Sequence, residues 1–296
     1  MNKLVSIVVI TYNSSPYIIQ TLESISKQTY SNIELIITDD CSSDSTIDIC
    51  KQWISSNKYY FVSTKVLTTD KNHGVSANCN RGIKASNGEF IKIIAGDDIL
   101  HPECIHNNVN NIKDSDLLVS QLIRFSDNNY EFVDDSNIFE SFCALEPSKR
   151  VHYYARTSFF FNTPTLFYRA SLFNRIGYFI EEERILEDVP FLIKVFNSDL
   201  KVSYMPIVTV YYRQSGVSNN SSVEFDRILL NSFFKYRINY LNKKSIIDNV
   251  IIYERRFYSF LIKNKTHKNW YLKNYYKKYN IPYYIFKQII ENFKTL

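Results

Sequence analysis

Glycine is scarce in this 296-residue chain, with six residues in all, and methionine scarcer, with two. So little glycine excludes collagen-like repeats. Neither a G-x-G-x-x-G dinucleotide loop nor a G-x-x-x-x-G-K-[ST] phosphate loop occurs, which argues against a dehydrogenase and a P-loop nucleotidase. No apolar run approaches the ~20 residues that cross a bilayer, and the apolar part of the opening MNKLVSIVVITYN is too short for a secretory signal. A cytoplasmic protein is expected. The five cysteines are odd in number, scattered and without a C-x-x-C pair, so neither a disulfide framework nor a structural zinc site is expected. The spacing of His101, Glu103, Cys104 and His106 fits no standard zinc site either.

Aromatic residues abound: 23 Tyr and 21 Phe within 45% hydrophobic content exclude a chain that is mainly disordered. The net charge of +5 conceals a division. Residues 235–296 carry 14 Lys/Arg against Asp248, Glu254 and Glu291, a net of +11, which leaves 21 of the 35 basic and 27 of the 30 acidic residues in 1–234, net −6. An acidic body with a basic tail points to an anionic partner for the tail.

The first third alternates strand and helix signals. Apolar, β-branched runs at Val5–Ile10, Ile33–Thr38, Val62–Leu67 and Phe90–Ala95 predict strands, and apolar spacing after Pro16, at Ile47–Ile54, over Val75–Ala85 and after Pro102 predicts helices between and after them. Strands buried on both faces and joined by helices imply an α/β fold with a mostly parallel central sheet and flanking helices. In such sheets ligands bind beyond the carboxyl ends of the strands, so the loops at 11–14, 39–44, 70–74 and 96–98 should converge. Carboxylates in those loops would repel a phosphate unless a divalent cation stood between them. Residues 116–170 read as less regular, with strand pieces at Leu117–Ile123 and Leu166–Tyr168. A helix is expected at Val189–Asn197, a strand at Lys201–Tyr212, a loop near Gly216–Ser222, and a basic, aromatic helical extension beyond.

Taken singly, Asp39-Asp40, Asp97-Asp98 and Glu187-Asp188 are each compatible with a solvated turn or an acidic helix start. Their coincidence at strand ends is what suggests chemistry. In order and spacing, VSIVVITYNSSPYIIQTLESISKQTYSNIELIITDDCSSDST, NHGVSANCNRGI, IIAGDDIL and ILEDVPF resemble the inverting nucleotide-sugar glycosyltransferases of family 2, which have the GT-A fold. The resemblance covers roughly residues 4–218. It implies a catalytic domain over 1–218, with a nucleotide-sugar half at 1–98 and an acceptor half at 99–218, followed by a C-terminal region at 219–296.

By that resemblance Thr11, Tyr12, Asn13 and Asp40 would meet the nucleoside of a UDP-sugar, with Asp40 accepting from the pyrimidine N3–H and Tyr12 stacking on the base. Arg81 would lie near the diphosphate and Asp97 at the ribose. Asp97 and Asp98 would hold Mn²⁺ or Mg²⁺, and Asp188 would be the general base, with Glu187, Thr163, Glu181 and Arg213 in support on the acceptor side. The chain departs from the family pattern in three places. Ala95 stands where many members have the first Asp of D-x-D-D, Cys79 where many have Arg, and Gln214-Ser215 follows Tyr212-Arg213 where many have a metal- or phosphate-binding His.

The function implied is transfer of a hexose or N-acetylhexosamine, first UDP-Glc or UDP-Gal, to a sugar on a lipid-diphosphate carrier in O-antigen or capsule synthesis. The basic aromatic stretch Trp270–Tyr279 suits the inner face of the cytoplasmic membrane, or alternatively packing on the body; nucleic acid is not expected as partner. A metal-dependent nucleotidyltransferase and a non-catalytic membrane- or nucleic-acid-binding protein are the rival readings.

Overall fold

The computed structural model describes residues 2–126, 129–132, 134–156, 161–184, 186–214, 235–246 and 248–253. Its first half is the expected alternation: β1 (Val5–Thr11), α1 (Ile18–Ser26), β2 (Ile33–Asp39), α2 (Thr46–Asn57), β3 (Ser63–Leu67), α3 (Val75–Ala85) and β4 (Phe90–Ala95). These four strands are parallel in the order β3-β2-β1-β4. Side chains of β1 alternate between two cores. Val5, Ile7 and Val9 pack with α1 and α2, whereas Val8 packs with α3, which is why the run is apolar throughout.

Beyond β4 come β5 (Ile99–Leu100), α4 (Cys104–Ile112), β6 (Leu117–Ser126), β7 (Asn129–Glu131), α5 (Ser136–Cys143), α6 (Pro147–Arg156), β8 (Leu166–Arg169), α7 (Ser171–Ile176), α8 (Asp188–Phe196) and β9 (Val202–Arg213). Here the sheet turns mixed. β8 inserts antiparallel between β4 and β6, β7 pairs antiparallel with β6, β9 runs parallel to β6, and β5 closes antiparallel on β9. The stretch expected to be irregular holds two helices, α5 and α6. In α6 the buried positions Arg150, Val151, Tyr154 and Ala155 keep helical spacing, but charged and aromatic residues mask it in sequence.

Two of the scarce glycines are explained by close approach. Gly82 lets α3 lie on β1: a Cβ there would stand 2.2 Å from Val8 Cγ1. Gly82→Ala is therefore expected to lower the urea midpoint, because overpacking by about 1–3 kcal/mol exceeds the ~1 kcal/mol of helix propensity gained. Gly74 has φ +95° and brings its Cα against the Arg184 backbone, where a Cβ would stand 2.7 Å from the Arg184 carbonyl oxygen.

Part of the C-terminal region packs on the body. Lys235 pairs with Glu183 at 2.9 Å, and the Tyr236 hydroxyl donates to the same carboxylate at 2.8 Å. The fully buried Arg237 guanidinium lies 4.1 Å above the Tyr154 ring. Leu241, Ile251 and Ile252 enclose Ala155, and the buried Asp248 takes the Arg156 Nε–H. The loop expected at 216–222 and the aromatic stretch 270–279 lie outside the described residues. Among the described residues no helix is long and apolar enough to cross a membrane.

Candidate active site

Register brings the strand ends together. Thr11 pairs with Asp39 across β1–β2, and Ile10 with Ala95 across β1–β4, so the loops after all three strands leave at one level. The chain winds from β1 to β2 on one side and returns to β4 on the other, and such a reversal opens a crevice. A cleft of about 390 Å³ lies there. Its walls carry Thr11, Tyr12 and Asp40 from the β1 and β2 ends, Asp97 and Asp98 after β4, Thr163 before β8, and Glu187 and Asp188 at the start of α8. Five segments separated by up to 177 positions thus meet in one space.

Asp40 is nearly fully buried and oriented from three directions. Its Oδ2 accepts the backbone N–H groups of His73 (2.9 Å) and Gly74 (2.7 Å), and its Oδ1 accepts Arg81 Nη2 at 3.2 Å. One acceptor direction on Oδ1 remains for a ligand N–H. Asp39 points away from the cleft to hold the loops: it accepts the Thr11 hydroxyl at 2.8 Å and the Ser42 N–H at 2.8 Å. Tyr12 is 42% exposed, which leaves its ring available to a base.

Four residues expected at the site stand off the cleft wall. Arg81, implied to lie near the diphosphate, turns its guanidinium to Asp40 and to Thr38 Oγ1, the Asp39 carbonyl and Asn78 Oδ1 at 2.9–3.1 Å. Asn13 (φ 51°) stitches the first two loops, accepting the Ser43 N–H at 2.9 Å and donating its own N–H to Ser42 Oγ at 2.8 Å. Glu181 accepts from Asn80 Nδ2 at 2.9 Å. Arg213 lies beneath the acidic pair: its N–H donates to Asp98 Oδ1 and its Nε–H to the Asp97 carbonyl, both at 2.9 Å. Within the NHGVSANCNRGI segment Asn80 and Arg81 hold neighbouring loops, while Asn72 and Asn78 reach the cleft wall.

Burial pushes the Asp97 carboxyl up; burial and then the Asp97 charge push Asp98 well up. Two adjacent carboxylates, incompletely neutralised by Arg213 and the buried Lys92, form a hard oxygen donor set. Among the described residues no group of three or more His, Cys, Asp or Glu could hold a metal. Two adjacent carboxylates are the kind of protein donor set that Mg²⁺ or Mn²⁺ takes when phosphate and water complete its shell.

Asp188, also on the cleft wall, opens α8 and accepts the Val189 N–H at 2.7 Å. Burial first, and the neighbouring Glu187 charge second, push its carboxyl up to about 7, against the pull of the Arg237 cation. Glu187, itself raised by burial, is held by the Thr163 hydroxyl at 2.8 Å. A carboxylate that titrates near neutrality beside a small-molecule cleft can take a proton from a hydroxyl at physiological pH.

The family model for glycosyl transferase family 2 matches residues 6–177. The chain belongs to that family. Similar curated proteins are the glycosyltransferase GlyG of Streptococcus pneumoniae, 33% identical over 45% of this chain and 44% of GlyG, and the uncharacterized glycosyltransferase YwdF of Bacillus subtilis, 28% identical over 74% of this chain and 78% of YwdF. The match to EpsH of B. subtilis spans only 27% of EpsH, so for it and for GlyG the similarity covers less than half of the relative. The crystal structure of Staphylococcus aureus TarS residues 1–349 in complex with UDP-GlcNAc superimposes with a TM-score of 0.60 at 23% identity, covering 93% of this chain and 76% of that one. The fold is accordingly GT-A, and family membership decides against the nucleotidyltransferase reading.

Sequence reasoning did not single out Asn72, Asn78, Asn162 or Arg184, all of which line the cleft. Arg184 donates from Nη2 to the Asn72 carbonyl (2.7 Å) and to Asn72 Oδ1 (3.0 Å), across 112 positions. That contact had no signal in the local pattern.

Proposed function

We propose that the chain is an inverting glycosyltransferase that moves a hexose or N-acetylhexosamine from a UDP-sugar to a sugar on a lipid-diphosphate carrier, in surface polysaccharide synthesis. The observation that carries this reading is the convergence of Asp40, Asp97-Asp98 and Asp188 around one cleft of small-molecule size. Asp40 and Tyr12 would hold the uracil. Asp188 would accept the proton of the acceptor hydroxyl as its oxygen attacks the anomeric carbon from the face opposite the leaving UDP. Its charge also steadies the oxocarbenium-like transition state. Thr163 and Glu187 would fix and tune that base. Asp97 and Asp98 would hold the divalent metal, which neutralises negative charge on the departing diphosphate.

Support for the donor class comes from relatives: the TarS structure contains UDP-GlcNAc, and TarS is named a poly(ribitol-phosphate) β-N-acetylglucosaminyltransferase. UDP-GlcNAc thereby joins UDP-Glc and UDP-Gal as a first donor to try. The lipid-linked acceptor and the attachment to the inner membrane face rest on the +11 charge of residues 235–296. The test is a screen of UDP-sugars for metal-dependent transfer to a synthetic sugar-diphosphate-lipid, followed by NMR of the product. A β-linkage from an α-linked donor is expected; an α-linkage overturns inversion.

A further inference from the structure

The cleft is strongly one-signed. Asp40, Asp97, Asp98, Glu187 and Asp188 face it, and among the described residues Arg184 is the one cation that lines it. The other cations nearby are committed elsewhere. Arg81 is spread over Asp40, Thr38, Asp39 and Asn78, Arg213 over the Asp97 carbonyl and Gln20, and the buried Lys92 ammonium is bonded to the Pro164 carbonyl. Cys79, where many family members carry an arginine, is buried in the core.

Arg184 is built to stay in place. Its backbone carbonyl accepts the Val75 N–H at 2.9 Å, and Gly74 packs on its Cα and Cβ. The preceding Glu183 is clamped on both sides: its carbonyl accepts the Ser76 hydroxyl, while its carboxylate takes Lys235 and Tyr236. Both bonds of the side chain leave from Nη2, to Asn72, so Nε and Nη1 have no protein acceptor among the described residues. An arginine tethered by one nitrogen keeps the N–H groups of Nε and Nη1 for charge-assisted hydrogen bonds to an anionic ligand.

We propose that Arg184 is the phosphate-binding cation of this cleft, donating to phosphate oxygens from the Nη1 group that Asn72 leaves unused. The inference rests on the donor reading above only for which phosphate is bound: the diphosphate of a UDP-sugar or that of a lipid-linked acceptor.

The test is calorimetry of the full chain with Mn²⁺, titrating UDP, uridine and inorganic pyrophosphate into wild type, Arg184→Met and Arg184→Lys, alongside acceptor KM. In Arg184→Met, affinity for UDP and pyrophosphate is expected to fall about tenfold or more, with uridine unchanged and Arg184→Lys intermediate. A selective rise in acceptor KM with UDP affinity intact also upholds the phosphate role and assigns it to the acceptor. Pyrophosphate binding that depends on Arg184 in a chain that ignores uridine sinks the UDP reading and keeps this one. Wild-type affinities for UDP and pyrophosphate together with a wild-type acceptor KM in Arg184→Met overturn the proposal, as does a wild-type chain that binds no phosphate compound. If Arg184→Met melts early, Arg184→Lys decides: it keeps the charge but not the guanidinium donors, and phosphate affinities indistinguishable from wild type would overturn the guanidinium's role.

Discussion

Asp188→Asn is expected to slow sugar transfer by about 10²–10⁴-fold while UDP affinity stays at the wild-type level. The amide keeps the shape, and its oxygen can still accept the Val189 N–H that fixes the rotamer, but it cannot accept the acceptor's proton. In the wild type, kcat/KM should fall tenfold per pH unit below an apparent pKa near 7, which belongs to the Glu187-Asp188 pair as a unit. Stability carries the opposite sign. The folded carboxyl titrates near 7 and an unfolded aspartate at about 4, so the native chain holds a proton that the unfolded chain has released in that window. The group's stabilising contribution is full below about pH 4 and is lost as pH rises through 7. Asp188→Asn should therefore stabilise the chain at pH 8 by on the order of 1–2 kcal/mol, read as a higher melting temperature, and leave it nearly unchanged at pH 3. The gain is less than a three-unit displacement would carry in a closed interior, because one edge of Asp188 faces the open cleft. Turnover retained by the variant would remove Asp188 as base.

The parts of the fold legible in sequence are those where local pattern and tertiary role coincide. β1, β2 and β4 are buried on both faces, so their apolar runs name them, and their boundaries fall within a residue of expectation. The antiparallel insertion of β8 between β4 and β6 was not legible, because it depends on pairing Phe90 with Arg169 and Leu117 with Tyr168, contacts with no local signature. The same division holds in the site. The rule for strand ends located Asp40, Asp97 and Asp98, because register alone decides that those loops are neighbours. The direction of a side chain is another matter. Arg81 looked free to meet a diphosphate, yet three acceptors within 3.1 Å draw its Nη1 and Asp40 draws its Nη2.

The C-terminal region shows how sequence division and structural division differ. Charge asymmetry separated a basic tail from an acidic body, but among the described residues after 234 two of the cations, Lys235 and Arg237, are used inward, while Lys243 and Lys244 stay exposed. Lys235 and Tyr236 secure Glu183, and Arg237 places its cation where it opposes the upward shift of Asp188. These residues fasten the segment that carries the base and the cleft's arginine.

Asp98→Asn is expected to abolish metal dependence as completely as chelation does. The proposed ion site has two carboxylates, Asp97 and Asp98, and Gln214-Ser215 supplies no histidine, so Mn²⁺ alone should bind weakly and UDP should bring the missing oxygens. In calorimetry of the wild type, Mn²⁺ without UDP should give little heat, while Mn²⁺ and UDP together should each raise the affinity of the other by the same factor. In Asp98→Asn the side-chain oxygen still accepts the Arg213 N–H, which preserves the loop, but one formal charge and one anionic ligand are gone. Metal affinity in the UDP complex should fall by at least about 10–100-fold, the range already seen when a residue supporting a ligand is lost. Transfer in the variant should equal transfer by wild type in EDTA. A variant whose UDP affinity still rises with Mn²⁺ as in the wild type would place the ion elsewhere, and would leave the buried Asp97-Asp98 pair as a structural partner of Arg213 and Lys92 rather than a metal site.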